Sequence, residues 1–138
     1  MAEQLAALLL QEPAVRSVLA PGVELVPVPL HPRRRRERGF NQAELLAAAL
    51  ARGSGLALSP AVLVRRKDTA AQAGLSSAAR RRNVAGAFAV RQRTKVSGRT
   101  LVLVDDVTTT GATAAACVRA LKQAGAVEVR LVTVACVT

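Results

Sequence analysis

Residues 101–104 read Leu-Val-Leu-Val, four aliphatic side chains with no polar alternation, and Asp105 and Asp106 follow at once. Successive residues of a strand face opposite sides, so an unbroken aliphatic run describes a strand that is covered on both faces. Such strands belong to parallel sheets, where crossover helices pack on the two sides. The residues downstream fit that architecture. Ala114, Ala115, Val118 and Leu121 recur at helical spacing, Gly125 stops the helix, and residues 127–137 form a second, mostly aliphatic strand. The last third of the chain is therefore read as a strand-helix-strand unit with a parallel strand pair, and the fold class as α/β.

Upstream, residues 24–28 (ELVPV) form a short apolar run whose prolines confine a strand to its first part. The loop 29–39, PLHPRRRRERG, is the most basic stretch of the chain. A helix start follows: Asn41 can cap, Glu44 sits at the third helical position of a capping box, and Phe40 can staple onto Leu45. Gly53 is the expected stop of this helix. Residues 56–64 read as a strand interrupted by Pro60, residues 65–83 as a long mobile loop with six cations, and residues 85–90 as a short returning strand.

A chain of 138 residues, 51% hydrophobic, buries one core, so a single domain over 1–138 is expected, with 1–23 as an N-terminal flank. The formal charge of +11 calls for an anionic partner: a nucleic acid, an acidic membrane face or a phosphorylated small molecule. Cys117 and Cys136 form no CxxC pair and cannot make a four-ligand zinc site alone, so both are read as reduced core thiols. Glu3 stands where a secretory signal would be basic, and no apolar run approaches the roughly 20 residues of a membrane span. The expectation is a soluble, cytoplasmic protein without membrane partners.

The chemistry concentrates where the buried strand ends. Ligands of open parallel sheets gather at the carboxyl ends of the strands, which is where Asp105 and Asp106 lie. The residues after them, Thr108, Thr109, Thr110, Gly111, Ala112 and Thr113, lead into a helix whose N-terminal amides and dipole attract an anion. Gly111 lets the backbone approach a phosphate closely. Acceptors for hydroxyls thus stand beside donors for a phosphate, and a sugar phosphate offers both. A Walker phosphate loop is excluded, because no Gly-Lys-Ser/Thr follows.

Three stretches carry a resemblance. The segment 102–113, VLVDDVTTTGAT, is similar to the phosphoribosyl-pyrophosphate (PRPP) signature of type I phosphoribosyltransferases. Segments 26–47 (VPVPLHPRRRRERGFNQAELLA) and 68–90 (DTAAQAGLSSAARRRNVAGAFAV) resemble the ComF family of competence proteins. The resemblance implies a type I phosphoribosyltransferase-like fold, a mostly parallel central sheet flanked by helices with a flexible basic loop over the site. It implies that Asp105 and Asp106 hold the ribose hydroxyls as the catalytic acids and that residues 108–113 wrap the 5-phosphate. Pro29, Leu30 and His31 would form the pyrophosphate loop, and residues 65–83, with Arg65, Lys67, Gln72, Arg80, Arg81 and Arg82, the lid. Mg2+ would be the cofactor, carried mainly by substrate and water in the neighbourhood of the two aspartates.

The reaction so implied is displacement of pyrophosphate from PRPP by a nitrogen acceptor, in support of DNA uptake during natural competence. Purine-salvage members carry an acid where Thr109 stands, which disfavours a 6-oxopurine acceptor. The cysteine-rich zinc module with which ComF-type proteins usually open is absent from this sequence. The alternative is a non-catalytic competence adaptor that binds single-stranded DNA or a helicase through Arg33, Arg34, Arg35, Arg36, Arg38 and the cluster at 80–82. With no Trp or Tyr and only Phe40 and Phe88, stacking platforms for bases are scarce, which ranks PRPP above DNA. His31 is balanced between acid-base work and a hydrogen-bonded turn. A homodimer is compatible with all of this.

Overall fold

The aliphatic run at 101–104 forms the centre of the main sheet. In the computed structural model Leu101, Val102, Leu103 and Val104 are all completely buried. The structure describes residues 2–30, 36, 41–66, 76, 78–79, 86–108 and 111–136. In chain order these give α1 (Ala2–Leu10), α2 (Pro13–Val18), β1 (Glu24–Pro27), α3 (Gln42–Ser54), β2 (Ala57–Leu58), β3 (Leu63–Arg65), β4 (Phe88–Val90), a 3-10 turn (Arg93–Lys95), β5 (Thr100–Thr108), α4 (Ala112–Gln123) and β6 (Glu128–Cys136).

The main sheet runs β2-β1-β5-β6 and is parallel throughout, with Leu25 opposite Val102 and Leu103 opposite Leu131. Strand alternation divides the core in two. Val26, Leu101 and Leu103 face Cys117 and Leu121 of α4, whereas Leu25, Val102 and Val104 face Leu46 and Leu50 of α3. Each fully buried leucine contributes roughly 2–3 kcal/mol of transfer free energy. The opening expectation of a doubly covered parallel strand holds.

Pro27 lies inside β1, not beyond it. The next residue, Val28, donates its N–H to Val104 O at 2.9 Å, and Leu25 O accepts from Ser59 N on the β2 side. Residues alternate their hydrogen-bonding sides, so Pro27 turns its missing N–H toward β2, which has already ended at Leu58. A proline at that point breaks no ladder bond.

Residues 56–64 do not form one strand. Pro60 separates β2 in the main sheet from β3, which pairs antiparallel with β4 in a second, two-stranded sheet, Leu63 opposite Val90 and Arg65 opposite Phe88. Leu63 and Phe88 pack into the α4-side core, so the small sheet lies on that face. Arg65, expected in the mobile loop, therefore belongs to a strand.

Asn41 caps α3 as expected: the N–H groups of Ala43 and Glu44 donate to its Oδ1 at 3.0 and 3.4 Å. The stop of α3 is Gly55, not Gly53. Gly55 adopts the left-handed conformation (φ 76°) that favours glycine, whereas Gly53 lies inside the helix, where a Cβ would stand 2.5 Å from Leu10 Cδ1 of α1. The flank 1–23 is structured. α1 packs against α3 and α2 against α1 and β6, and Ala6, Leu19 and Val23 join the core on that face.

Candidate functional site

β1 and β5 are parallel neighbours, yet the helix after β1 packs on one face of the sheet and the helix after β5 on the other. The two connections part above the strands' carboxyl ends, and that parting opens a crevice where open α/β sheets bind ligands. Pro29 and Leu30 leave β1 on one side of it. On the other side Asp105 and Asp106 lie within β5, which was expected to end at them but stays paired with β6 to Thr108, and Gly111 follows the strand.

The two aspartates are not equivalent. Asp105 continues the row of Leu101 and Leu103 and is only 7% exposed, whereas Asp106 is half-buried. The Asp106 N–H donates to Asp105 Oδ1 at 2.9 Å. Burial pushes the Asp105 carboxyl up from an ordinary 3.8 to about 7, and the hydrogen bond and charge of Asp106 push the same way. The Asp106 amide and the Arg65 guanidinium oppose the rise. Cys117, fully buried on α4, has its thiol pushed far up, first by burial and then by the charge of Asp105. It is a neutral packing residue, as expected, and no nucleophile.

Gly111 is the N-cap of α4 at φ 76°, and it offers no side-chain acceptor of its own to the helix's first turn. A Cβ at Gly111 would meet nothing within 4 Å. The backbone at Gly111 thus faces open space at the positive end of the helix, with Thr113 in the first turn and Ala112 buried. Of the helical stripe read from the sequence, Ala114 and Leu121 are buried and Val118 is half-buried, but Ala115 is exposed and Cys117 takes its place in the core.

A cavity of about 400 Å³ is lined by Pro29, Leu30, Asn41, Glu44, Arg65 and Arg91 among others, and neither the two aspartates nor Gly111 line it. It joins the connection after β1 to the end of β3. From sequence Glu44 was read only as a capping-box residue, and Arg91 was not singled out. Arg91 follows β4 directly and its N–H bonds Val62 O, so only the antiparallel pairing of β3 with β4 brings it there. Arg65 lies over the Phe88 ring, 4.9 Å from its centroid. His31, Arg33, Arg34, Arg35, Arg38, Phe40, Lys67, Gln72, Arg80, Arg81, Arg82, Thr109 and Thr110 lie outside the described residues. Thr108 closes β5.

Among the described residues no three His, Cys, Asp or Glu side chains gather to hold a metal ion, and no helix is long and apolar enough to cross a membrane. The donor set at the crevice is two carboxylates, one of them buried and raised toward neutrality. It suits a magnesium ion that arrives already coordinated by phosphate oxygens and water.

Comparison with known proteins agrees with this geometry. The phosphoribosyl transferase domain family matches residues 37–136. The chain is 42% identical over 134 residues to the DNA utilization protein YhgH of Salmonella typhi, covering 95% of this chain and 58% of that one. It is 36% identical over 108 residues to competence protein F of Haemophilus influenzae, covering 78% and 47%. The chain thus spans about half the length of these relatives. Among solved structures it is similar in fold to glutamine PRPP amidotransferase from B. subtilis, with a TM-score of 0.63 at 23% identity over 96% of this chain and 26% of that one. A protein from Thermus thermophilus follows it with a TM-score of 0.53 at 17% identity, over 97% and 82%. With its acids near the end of β5, its glycine-capped helix and its parallel sheet, the chain belongs to the phosphoribosyl transferase domain family and has the type I phosphoribosyltransferase-like fold.

Proposed function

We propose that the crevice binds PRPP and that the domain transfers its phosphoribosyl group to a nitrogen acceptor. The observation that carries this reading is the order of groups along β5 and into α4: a half-buried carboxylate, Asp106, followed within a few residues by the open space at Gly111, the left-handed N-cap of α4. Asp106 accepts from the ribose hydroxyls, and the first turn of α4 receives the 5-phosphate. The pyrophosphate extends toward the cavity beside Pro29 and Leu30, where Arg91 supplies positive charge. Mg2+ bound to the substrate's phosphate oxygens offsets the charge of the leaving group.

In the transfer the bond from C1 to the pyrophosphate oxygen breaks and its electron pair departs with the diphosphate. The acceptor's nitrogen lone pair forms the new bond to C1, and its proton passes to solvent. Positive charge grows on the sugar ring between these events, and the adjacent carboxylates stabilise it. The lid expected at residues 65–83 falls, beyond Arg65 of β3, in the segment between β3 and β4.

Calorimetry with PRPP, with and without Mg2+, tests this on the wild type and on Asp106→Asn. Magnesium-dependent binding by the wild type, weakened at least about tenfold in the variant, is expected from the loss of charged acceptors to hydroxyls. Absence of heat with both proteins overturns it. Gly111→Val is expected to weaken PRPP binding and to lower stability by about 1–2 kcal/mol in urea titrations, because valine is strained at positive φ. A pyrophosphate-release screen across nucleobases and amines identifies the acceptor.

The names of the relatives, DNA utilization protein and competence protein F, support placing this activity in the handling of imported DNA. They also favour a second reading, in which the arginines at 33–38 and 80–82 bind single-stranded DNA or a helicase and the domain acts as an adaptor. Binding of that kind, made through phosphates alone, falls steeply with salt and does not require Mg2+.

A further inference from the structure

A second cavity, of about 330 Å³, shares Pro60, Ala61 and Arg91 with the 400 Å³ cavity, so the two meet at those residues. Its walls differ in character. One is the link from β2 to β3, where Leu58, Pro60, Ala61 and Val62 are apolar and Ser59 is the exception. The other is the link from β4 into the 3-10 turn, where Arg91, Gln92 and Lys95 are polar and exposed. Among the described residues no acid lines this cavity.

The two cations stand on a fixed backbone. The Arg91 N–H bonds Val62 O at 2.8 Å and ties one wall to the other. The Lys95 N–H bonds Gln92 O at 3.1 Å, and Val96, completely buried, anchors the turn behind it. Arg93, between them, is used elsewhere, its guanidinium donating to Gln123 O at the end of α4 at 3.4 Å. Among the described residues neither Arg91 nor Lys95 has a carboxylate partner. The acid that touches this wall is already answered: Glu24 accepts from Ser59 Oγ at 2.9 Å and from the Arg99 guanidinium at 2.7 Å. An anion arriving between Arg91 and Lys95 therefore displaces no ion pair and orders little backbone.

A groove with cations on one wall and apolar surface on the other fits a ligand that is anionic along one edge and flat and apolar beside it. Its volume suits a unit of nucleotide size. An acidic peptide fits less well. It would need a strand edge to extend, and β2 is only two residues long, with Pro60, which has no N–H, two residues beyond it.

We propose that this groove binds single-stranded nucleic acid, with one base against Leu58, Pro60 and Ala61 and the flanking phosphates on Arg91 and Lys95. No aromatic side chain lines it, so the base gains burial rather than stacking, and binding is modest and indifferent to sequence. The site is separate from the arginines at 33–38 and 80–82 and does not rest on the PRPP reading.

Fluorescence anisotropy of the full chain with a labelled short oligothymidylate, without Mg2+ and across a salt series, tests this. Lys95→Ala is expected to lower the slope of log K against log salt by about 0.7, the share of one phosphate contact on a single strand. Arg119→Ala removes an exposed cation that lines neither cavity and should leave the slope unchanged. Ala61→Glu sets a like charge where the cavities meet and is expected to weaken binding at least about tenfold. All three positions are exposed, so the variants keep the fold.

No binding by the wild type, equal slope changes in Lys95→Ala and Arg119→Ala, or full affinity in Ala61→Glu overturns the proposal. Binding lost only on replacing Arg80, Arg81 and Arg82 by alanine also overturns it, because the strand then belongs to that cluster. A poly-glutamate chain that competes as well as the oligonucleotide overturns the choice of nucleic acid, and an abasic strand that binds as tightly overturns the seat of the base. PRPP calorimetry on Lys95→Ala is expected to match the wild type, and an equal loss there overturns the separateness of the two sites.

Discussion

Asp105→Asn is expected to be more resistant to urea than the wild type at pH 8 and nearly equal to it at pH 4. The folded protein raises this carboxyl from an ordinary 3.8 to about 7, chiefly because the group is buried. Between those values the folded state holds a proton that the unfolded chain has released, so stability falls as the pH rises. The favourable contribution is complete below pH 3.8 and is lost as the pH passes through about 7. The slope over that window is about 1.4 kcal/mol per pH unit for one group. Asparagine has the same shape and no proton to lose, so the difference between the two proteins should open across that window. Urea titrations at intervals between pH 4 and 8 measure it, and parallel curves would contradict it. A residue that costs stability at neutral pH is retained for what it does when a ligand arrives, and PRPP binding by the same variant should be weakened.

Asn41→Ala is expected to cost about 2–3 kcal/mol, with a fall in melting temperature of about 5–10 °C. Asn41 does two things from a buried position. Its Oδ1 caps α3, which is worth about 1 kcal/mol, and its Nδ2 donates to the Val28 carbonyl at 3.1 Å. Alanine abandons both and leaves the Val28 oxygen without that donor. Asn41→Ser separates them, since serine can cap but reaches less far. It should recover about half of the loss in thermal melts.

The parts of the fold that rest on local physics were legible in the sequence. The doubly buried run at 101–104, the cap at Asn41 and the strand-helix-strand unit each follow from side-chain periodicity and cap chemistry within a few residues, whereas β5 continues past the two aspartates to Thr108. What escaped depends on partners far along the chain. Gly53 looks like a helix stop and is an opening for Leu10, a contact between helices that no window of α3 contains. Arg65 looks like loop because three residues are too few to show strand alternation, and its strand exists through pairing with Phe88, Ala89 and Val90. Glu44 and Arg91 border the cavity only after β3 and β4 have paired. The flank 1–23 was assigned no structure, although its apolar residues cover α3. In the candidate site, the position of the two aspartates was readable, but their inequality was not. Adjacent residues of one strand face different surroundings, and only the packing of α4 and the small sheet decides that Asp105 is the buried one.

The bonds at Val28 carry a consequence for how this domain can vary. Its N–H is fixed to Val104 and its carbonyl to Asn41, so the two ends of the stretch 29–40 are tied to one point of the scaffold. Closing a loop whose ends are already fastened costs only about 0.6 kcal/mol for each doubling of its length. Insertions or deletions between residues 30 and 40 should therefore be tolerated by the scaffold, leaving that stretch open to adaptation toward different anionic partners while the sheet beneath it stays the same.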